Sequence, residues 1–528
     1  MPPSSSKNSK TSLKTQSINK KVVLFFPSPL PYERNWHGVP LALLAISRIL
    51  DKEKYNIKIY ARHLQKNYLS EILNNSHDSV CLGISAMTGF QIKDGLKLAK
   101  AFKKKYPHIP IVWGGWHPSI LPNQTVKSRY VDIVVRGPGD VTFPALVEAL
   151  RLKKDLKNIK GITYKIGHKV ITNPDREPVD LGLLPPLPYH LVNIEKCLQN
   201  TEYGKRTIPY ISSYGCPHRC AFCVEEIVNK RRWKPVPAKI VLKEWQNLIK
   251  KYKADSVAVY DSNFFVNEQR VTDICQGMIN KKMKLNWGNA NGRAGQLSRY
   301  KDDTWKLMQK TGCAMILTGA ESGSQSALDF ISKDMNVDEL IKFTQKCKQY
   351  NIKILYSFLV GLPWSKNPKE NDKFVAQEYE ATLLLIDKLL LISDRNRYTY
   401  YIFLPYPGAP LFIRAVKLGL NYPKSLESWS NYLMSPENAF KETLKQKWIS
   451  PRDARLTAML TQYIFGIMDR DTYDMLYPRI KSSLGKISFK IGFSVALALV
   501  KLRWRYKYFD LPLDYWFFSI IHRYGGIL

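Results

Sequence analysis

The sequence predicts an α/β protein with two successive parallel sheets, followed by a mainly helical C-terminal region. Between residues 21 and 150, apolar strand-like runs alternate with helical segments. Six further strand–helix units follow between residues 201 and 420, and the pattern then changes to helices rich in aromatic and basic side chains. Alternation of strands and helices is typical of parallel sheets, because parallel neighbours need a crossover connection.

The N-terminal segment fits a doubly wound, Rossmann-like sheet. Strands are predicted at residues 21–26, 56–60, 79–85, 109–113 and 131–135, with helices at 40–50 and 92–105. Turns rich in Gly or Pro follow four of these strands and begin at Pro27, Ser85, Gly114 and Arg136. Ligands of such sheets bind beyond the carboxyl ends of the strands, so we expect a binding site at these turns.

The central segment fits an open, partial (β/α)6 barrel. Its strands are predicted at residues 208–212, 256–260, 285–289, 314–318, 352–360 and 398–404. As in full barrels, chemistry is expected at the carboxyl ends of these strands. The chain is therefore divided into a disordered basic tail (1–20), an N-terminal domain (21–150), a linker with a proline-rich stretch (151–200), the barrel (201–420) and a helical C-terminal domain (421–528).

The charge of the chain favours an anionic partner. Its 80 basic and 44 acidic residues give a formal net charge of +36. Nucleic acid, a phosphorylated metabolite or an anionic membrane would suit this excess. A lysine-rich composition spread over solvated faces explains it equally well.

The cysteines indicate a reducing compartment, and the apolar runs indicate neither a secretory signal nor a membrane span. Only three of the eight cysteines cluster, which is not a disulfide framework and predicts a cytoplasmic protein. Residues 1–20 lack the apolar segment of a secretory signal. No apolar run reaches the roughly 18 residues of a membrane span; the longest, residues 491–500, is too short.

The most informative motif is the cysteine loop in residues 214–223. Cys216, Cys220 and Cys223 are spaced CxxxCxxC. Three thiolates can hold three irons of a 4Fe–4S cubane and leave the fourth iron open for a small molecule, whereas structural clusters take four cysteines. The alternative is a zinc knuckle, but zinc motifs usually pair two CxxC units or add spaced histidines, and only His218 is close.

This loop, with Phe222 directly before the last cysteine, resembles the signature of the radical S-adenosylmethionine (SAM) superfamily. Residues 85–89, 114–118 and 136–140 resemble the cobalamin-binding domain that precedes the barrel in one of its subfamilies. The resemblance implies three cofactors: a 4Fe–4S cluster on the three catalytic cysteines, SAM and cobalamin. The alternative for the N-terminal domain is a generic nucleotide-binding sheet.

The resemblance also implies which residues meet cobalamin. The histidine motif DxHxxG of cobalt-ligating domains is absent, and His117 lies in another context, so we expect no histidine ligand and place the turn at residues 85–89 near the lower cobalt face. The expected contacts are Pro27, Ser85, Met87, Thr88, Gly114, Gly115, His117, Pro118, Gly137, Gly139 and Asp140.

SAM is expected to lie against residues at the ends of the barrel strands. Phe222 would lie against the adenine, Glu321 near the cofactor, and Arg293 would pair the SAM carboxylate. The alternative for each polar residue is a helix cap or a satisfied loop group. The full expected set is Phe222, Asp261, Asn263, Arg293, Glu321 and Ser322.

The resemblance implies an enzyme, most simply a C-methyltransferase. A 5′-deoxyadenosyl radical would activate an unactivated carbon, methylcobalamin would supply the methyl group, and an external one-electron reductant would be needed. Similar proteins instead perform oxidative cyclisation or carbon–carbon coupling, and these alternatives stay open. RNA-modifying relatives carry three extra cysteines in their N-terminal domain, whereas residues 21–150 contain only Cys81, so nucleic acid is disfavoured as a partner. A non-enzymatic membrane-surface protein with a structural cluster is disfavoured by the missing fourth cysteine.

The C-terminal region suggests an amphipathic substrate or surface. The apolar residues 491–500 precede the cations of residues 501–507 and the aromatics of residues 515–518. Basic and aromatic residues beside an apolar stretch suit an element that lies at a membrane interface. We therefore expect a small-molecule or lipid-like substrate and peripheral contact with an anionic inner membrane surface; the alternative is a helical cap on the barrel.

Overall fold

The computed structural model describes residues 20–28, 38–432, 448–480, 482–509 and 513–515 of the chain. The predicted disordered tail lies outside the described residues except for Lys20, as do three of the four aromatic residues predicted at 515–518. The mixed α/β class is confirmed: a mainly parallel N-terminal sheet and a mainly parallel partial barrel are flanked by helices, and further helices follow.

The N-terminal sheet has seven strands in the order β2-β1-β3-β4-β5-β6-β7. The first five strands are parallel, and β6 and β7 add an antiparallel hairpin that extends the sheet beyond residue 150. Its elements are β1 (Lys21–Phe26), α1 (Leu41–Lys52), β2 (Asn56–Ala61), α2 (Tyr68–Asn75), β3 (Leu82–Ser85), α3 (Phe90–Lys105), β4 (Ile111–Gly114), α4 (Trp116–Ile120), α5 (Pro122–Lys127), β5 (Ile133–Val135), α6 (Thr142–Arg151), β6 (Ile162–Ile166) and β7 (Lys169–Thr172).

The central strands of this sheet are continuous apolar runs because helices cover both faces. Four consecutive residues of β1, Val22 to Phe25, are fully buried. Strands buried on both faces lose the alternation of apolar and polar residues that half-exposed strands show.

The second body is the predicted partial barrel. Two four-stranded sheets, β13-β12-β9-β8 and β14-β15-β16-β17, meet where Trp287 pairs with Cys313. Its elements are β8 (Gln199–Thr201), β9 (Gly204–Tyr210), β10 (Ser213–Tyr214), α7 (Glu225–Asn229), β11 (Lys234–Pro235), α8 (Ala238–Tyr252), β12 (Ser256–Val259), α9 (Glu268–Asn280), β13 (Asn286–Gly288), β14 (Ala290–Asn291), α10 (Ala294–Leu297), α11 (Asp302–Lys310), β15 (Met315–Glu321), α12 (Gln325–Phe330), α13 (Val337–Gln349), β16 (Lys353–Val360), α14 (Pro368–Ile392) and β17 (Arg397–Ile402).

An ion-pair clasp joins the first and last strands at the amino end of the barrel. Glu202, at the tip of the β8–β9 hairpin, accepts hydrogen bonds from Lys353 Nζ at 2.7 Å and Arg397 Nη1 at 3.1 Å. Lys353 begins β16 and Arg397 begins β17, so the hairpin ties both strands to the start of β9.

The C-terminal region is helical, as expected, but its two parts pack on different bodies. Trp429 reaches the N-terminal domain, where its Nε1 donates to Gln124 Oε1 at 2.6 Å, whereas Phe465 stacks on Tyr400 of the barrel. A π-helical turn at Leu460–Ile464 links α17 to α18. The helices are α15 (Pro410–Lys417), α16 (Leu426–Trp429), α17 (Pro451–Met459), α18 (Phe465–Met468), α19 (Arg470–Leu476) and α20 (Ser483–Tyr506).

Candidate active site

The cysteine loop lies at the carboxyl end of the first barrel strand. Cys216, Cys220 and Cys223 are all partly buried, and burial raises the pKa of the Cys223 thiol to about 12. No three His, Cys, Asp or Glu side chains in the described ranges are arranged to hold a single metal ion. A cubane takes each thiolate on a different iron, so its ligands need not converge on one point. Three thiolates that do not converge on one point are therefore compatible with a cluster.

Two backbone contacts fix the loop between the barrel and α15. The Ala221 amide donates to the Ile331 carbonyl at 2.8 Å, and the Ala221 carbonyl accepts from the Leu411 amide at 2.9 Å. Gly215 enters the loop with φ +81°, and a Cβ there would lie 1.9 Å from the Arg232 carbonyl oxygen. Only glycine fits this approach.

Asp261 holds the strand end from which the loop departs. Its carboxylate has no exposed surface and accepts from the Ser212 amide, the Ser212 hydroxyl and the Ser213 hydroxyl, each at 2.6 Å. Arg270 Nη2 also donates to Ser212 Oγ at 2.8 Å. Burial raises the pKa of Asp261, whereas Arg270 and the serine donors oppose that shift. The structure thus shows Asp261 engaged by the protein as a support of the cysteine loop.

A buried positive group lies beside the cysteines. Arg293 Nη1 donates to Cys220 Sγ at 3.9 Å, while its Nη2 is buried without a partner among the described residues. His218 Nε2 is also buried and unpartnered there, and burial, then Arg293 and Lys333, lower the pKa of His218 to about 4. Buried donors normally find an acceptor. An anionic ligand would satisfy the Arg293 donor, and both a cluster and a SAM carboxylate fit that requirement.

Lys333 is a site residue that the sequence analysis missed. Its Nζ donates to Glu321 Oε1 at 2.7 Å and lies 6.0 Å from the centre of the Phe222 ring. Burial pushes the pKa of Lys333 down, but the Glu321 carboxylate and Cys220 outweigh burial and leave it raised. No sequence pattern indicated this lysine, because it follows α12 rather than a strand.

Local backbone geometry makes the Glu321–Lys333 pair possible. Glu321 has φ +62° and follows a register shift between β15 and β16. A Cβ on Gly319 would lie 2.1 Å from Glu321 Oε1 and 2.9 Å from Lys333 Nζ. Strained backbone of this kind clusters at functional sites.

The remaining expected SAM contacts are engaged by local polar partners. Asn263 Oδ1 accepts from the Phe265 amide at 3.1 Å and caps a short 3₁₀ turn. Ser322 Oγ accepts from the Ser324 amide at 3.1 Å. The structure therefore brings Arg293 to Cys220 and brings Phe222 and Glu321 to Lys333, while Asn263 fits the helix-cap alternative.

The expected cobalamin contacts border the carboxyl edge of the N-terminal sheet. They follow β1, β3, β4 and β5, and among them Met87 has 44% of its surface exposed. Gly115 has φ +94°, and a Cβ there would lie 2.8 Å from the Ala86 carbonyl oxygen. The turns after β3 and β4 therefore meet backbone to backbone. Met87 is the one exposed residue of the expected set beside this contact.

His117 is enclosed next to this edge and is not exposed on it. Its ring has no exposed surface, its Nδ1 lies 3.1 Å from Thr88 Oγ1, and it packs edge-on against Trp429. Burial lowers the pKa of His117 to about 3, so the ring is neutral. The expectation that this histidine is not a cobalt ligand stays a prediction.

Asp140 joins the N-terminal domain to the cysteine loop. Arg48 Nε donates to Asp140 Oδ1 at 2.9 Å, and the Tyr214 hydroxyl donates to the same oxygen at 3.2 Å. The Arg48 and Asp140 side chains are each 6% exposed. Tyr214 stands two residues before Cys216. A cobalamin contact was expected of Asp140, but its carboxylate is engaged between the domains.

The carboxyl edges of the two sheets face each other across this junction. A Cβ on Gly137, after β5, would lie 3.7 Å from the Val228 carbonyl oxygen of α7. A Cβ on Gly408 would lie 2.6 Å from Ile227 and 3.9 Å from Ile120. The cysteine loop and the expected cobalamin edge are therefore neighbours.

Comparisons with known proteins match both bodies. The family described as "B12 binding domain" matches residues 34–147, and the "Radical SAM superfamily" matches residues 210–372. An uncharacterized methyltransferase of Pyrococcus horikoshii is 28% identical over 387 residues, which span 72% of this chain and 79% of that protein. The anaerobic magnesium-protoporphyrin IX monomethyl ester cyclase of Rubrivivax gelatinosus is 26% identical over 339 residues, which span 63% of this chain and 57% of the cyclase.

A solved structure has the same overall fold. The cobalamin-dependent SAM radical enzyme OxsB with aqua-cobalamin bound superimposes with a TM-score of 0.65. The superposition covers 93% of this chain and 80% of OxsB at 17% sequence identity. At this identity the likeness establishes the arrangement of the domains rather than a shared substrate.

Proposed function

The chain belongs to the cobalamin-dependent radical SAM enzymes, and from this premise we propose that it methylates an unactivated carbon of a small, lipid-like molecule. The observation that carries the proposal is the junction at Asp140. It ties the carboxyl edge of the N-terminal sheet to the cysteine loop through Arg48 and Tyr214. Methyl transfer needs these two edges to share one substrate.

The chain's own residues bind and orient the reacting groups. Together, the 4Fe–4S cluster, SAM and cobalamin supply a carbon-centred radical and a transferable methyl group. Cys216, Cys220 and Cys223 would hold the cluster, and Arg293 would hold the SAM carboxylate through its unpartnered Nη2. Pro27, Met87, Gly114 and their neighbours at the sheet edge would hold cobalamin.

Apolar packing under the loop excludes water from the site. Ala221 is buried in a cluster with Ile331, Leu362, Phe403 and Leu411, and Phe222 packs against that cluster. Exclusion of water protects reactive intermediates from side reactions. This packing holds the Phe222 ring in a fixed position, in which it would contact the adenine of SAM.

Oxidative cyclisation remains the second candidate function. The cyclase of Rubrivivax gelatinosus favours it, but its alignment spans a smaller share of both chains than that of the methyltransferase. The RNA-modifying alternative is weaker. Cys81 is the single cysteine of residues 21–150. It is fully buried, and burial raises the pKa of its thiol to about 12.

The finer aspects of the setting are also proposals. The substrate is lipid-like, an external one-electron donor reduces the cluster, and the enzyme works in the cytoplasm at an anionic inner membrane surface. The apolar and basic C-terminal helix α20 supports both the lipid-like substrate and the position at a membrane surface. All eight cysteines are free, which suits a reducing compartment.

Anaerobic reconstitution tests the proposed reaction. The protein is loaded with iron, sulfide and hydroxocobalamin, supplied with SAM and a reductant, and incubated with lipid extracts. The product is expected to be one methyl group heavier than its substrate. A product lighter by two hydrogens would replace methylation by cyclisation or coupling.

Arg293→Gln should weaken SAM binding without loss of iron. A charge-assisted hydrogen bond contributes about 1.5–3 kcal/mol, which corresponds to roughly a 10- to 100-fold change in affinity. Titration calorimetry of the reconstituted protein measures it. Arg299→Gln is the matched control, because Arg299 is 67% exposed and pairs with Glu339. Equal SAM affinity in both variants would remove Arg293 from the cofactor site.

His117→Phe should leave the absorption spectrum of bound cobalamin unchanged and of the base-off type. The ring is neutral and has no exposed surface from which it could reach a ligand at the sheet edge. The wild-type spectrum should also stay constant between about pH 5 and 8, where an ordinary histidine ligand would titrate. A histidine-ligated spectrum that disappears in the variant would contradict this placement.

A further inference from the structure

The outer face of α20 is an exposed apolar stripe. Its members recur at helical spacing, and Leu484 is 75% exposed, Ile491 61% and Leu502 55%. Half of the eighteen exposed large hydrophobic side chains among the described residues fall between Leu484 and Leu513. Soluble surfaces rarely gather apolar groups this way without a partner. The outer face is formed by Leu484, Ile487, Ile491, Val495, Leu499, Leu502 and Tyr506.

The opposite face of the same helix contacts the protein, and Val500 and Trp504 are its buried residues. Phe489 and Phe493 contact Tyr473 of α19, and Trp504 contacts Phe465 and donates through Nε1 to Asp387 Oδ1 at 2.7 Å. By length and composition the 24-residue helix could cross a membrane, which corrects the expectation that the apolar stretch is too short. Only 6% of the apolar window is buried, but crossing would still separate Trp504 from Phe465 and Asp387, so the helix suits a surface position.

The charge of α20 selects among the possible occupants of its outer face. The helix carries Lys486, Lys490, Lys501, Arg503 and Arg505 and contains no Asp or Glu. Lys490, Lys501 and Arg505 form no ion pair with any residue that the structure describes. Cations that flank an apolar stripe match the headgroups and acyl boundary of an anionic bilayer.

The other occupants fit less well. Two copies of α20 would bring their acid-free, cationic faces together and repel. Residues 516–528 are apolar but also contain no acidic residue, so that segment could cover the stripe without neutralising the lysines. Only an anionic surface satisfies both the apolar and the charged parts of the face.

We propose that α20 is a membrane-docking helix that lies flat on an anionic bilayer with its outer face in the headgroup region. The proposal rests on the proposed function in one respect: docking would place the barrel at the membrane, where a lipid-like substrate is found. Docking depends on no cluster, cobalamin or turnover. Its failure is therefore distinguishable from a failure of methyl transfer.

Flotation of the full-length protein tests the docking. Phosphatidylcholine vesicles with phosphatidylserine should float the protein, vesicles without phosphatidylserine should float much less, and high salt should weaken the first result. Ile487→Ser/Ile491→Ser/Leu499→Ser should reduce the floated fraction about tenfold or more. The matched control is Ile166→Ser/Leu183→Ser/Leu391→Ser, which removes as many exposed apolar groups elsewhere and should float like wild type.

Charge and competing partners are tested in the same assay. Lys490→Glu/Lys501→Glu/Arg505→Glu should abolish flotation, while Lys58→Glu/Lys100→Glu/Lys104→Glu should retain most of it. Absence of wild-type flotation, or equal loss in the outer-face and control variants, would overturn the proposal. It would also be overturned by a dimer in sedimentation that only the outer-face variant loses, or by flotation that appears only when residues 516–528 are removed.

Discussion

Cys220→Ala is expected to abolish cluster iron and 5′-deoxyadenosine formation together. A cubane bound through three thiolates loses an iron ligand when one is removed, and the remaining site already has one open iron. Cys220 also accepts a hydrogen bond from Arg293. Replacing Cys220 therefore removes the contact between the cluster ligands and the proposed site of the SAM carboxylate. Iron analysis of the reconstituted protein and chromatography of the nucleoside products measure both effects.

A buried cysteine outside the loop provides the control. Cys197 is fully buried, and its Sγ donates to the Asn193 carbonyl within a 3₁₀ turn. Cys197→Ala should keep full iron content, whereas Cys216→Ala and Cys223→Ala should behave like Cys220→Ala. Full iron content in a variant with all three loop cysteines replaced would refute the cluster.

Lys333→Met is expected to destabilise the folded protein by about 3–5 kcal/mol, because it leaves a buried carboxylate without its partner. The side chains of Lys333 and Glu321 are only 9% and 10% exposed. Chemical denaturation of the cluster-free protein measures the loss. Lys333→Met/Glu321→Gln should recover most of it, since no uncompensated charge remains.

A surface ion pair of the same chemistry is the matched control. Lys346 pairs with Asp302 on the outside of the barrel, where the two side chains are 28% and 54% exposed. Lys346→Met should cost no more than about 1 kcal/mol. Equal losses for the two lysine variants would show that the Glu321–Lys333 pair is not a buried, coupled unit.

The main strands could be predicted from sequence because burial on both faces produces continuous apolar runs. β1 and β16 begin and end within a residue of the predicted ranges. The third barrel strand was expected as one run at residues 285–289, but it divides into β13 and β14 at Asn289, which has φ +57°. An apolar run contains no signal for a left-handed residue that interrupts the ladder.

The β6–β7 hairpin was assigned to the linker, and its composition explains why. Lys165 interrupts the apolar residues of β6, and Lys169 begins β7, the edge strand, where lysine is common. Gly167, with φ +57°, was the available turn signal. The N-terminal sheet therefore extends about twenty residues beyond its expected boundary, to Thr172.

Strand ends in the sequence indicated those polar residues near the cysteine loop that are close in sequence to a strand. Arg293 follows a barrel strand and contacts Cys220 of the cysteine loop. Glu321 ends a barrel strand and pairs with Lys333. Lys333 and the Arg48–Asp140 pair depend on contacts between segments far apart in the chain. Arg48 and Asp140 are separated by 92 positions, and no local pattern encodes such a pairing.

The length of α20 could not be read from its apolar core. Residues 491–500 stood out as apolar, but Phe489, Trp504 and their neighbours extend the packed face in both directions. Gly485, Gly492 and several serines obscure the helical pattern, although Ser482 caps the helix by accepting from the Gly485 amide. The helical propensity of these residues alone is weak, and packing on α18 and α19 stabilises the helix.

Methyl transfer at a site shared by the two sheet edges predicts a fixed ratio of coproducts. In a reconstituted reaction, each methylated product should be accompanied by one S-adenosylhomocysteine and one 5′-deoxyadenosine, so that two SAM molecules are consumed. With SAM labelled on its methyl group, the label should appear in the product. Formation of 5′-deoxyadenosine with an altered but unlabelled product, and without S-adenosylhomocysteine, would contradict methyl transfer.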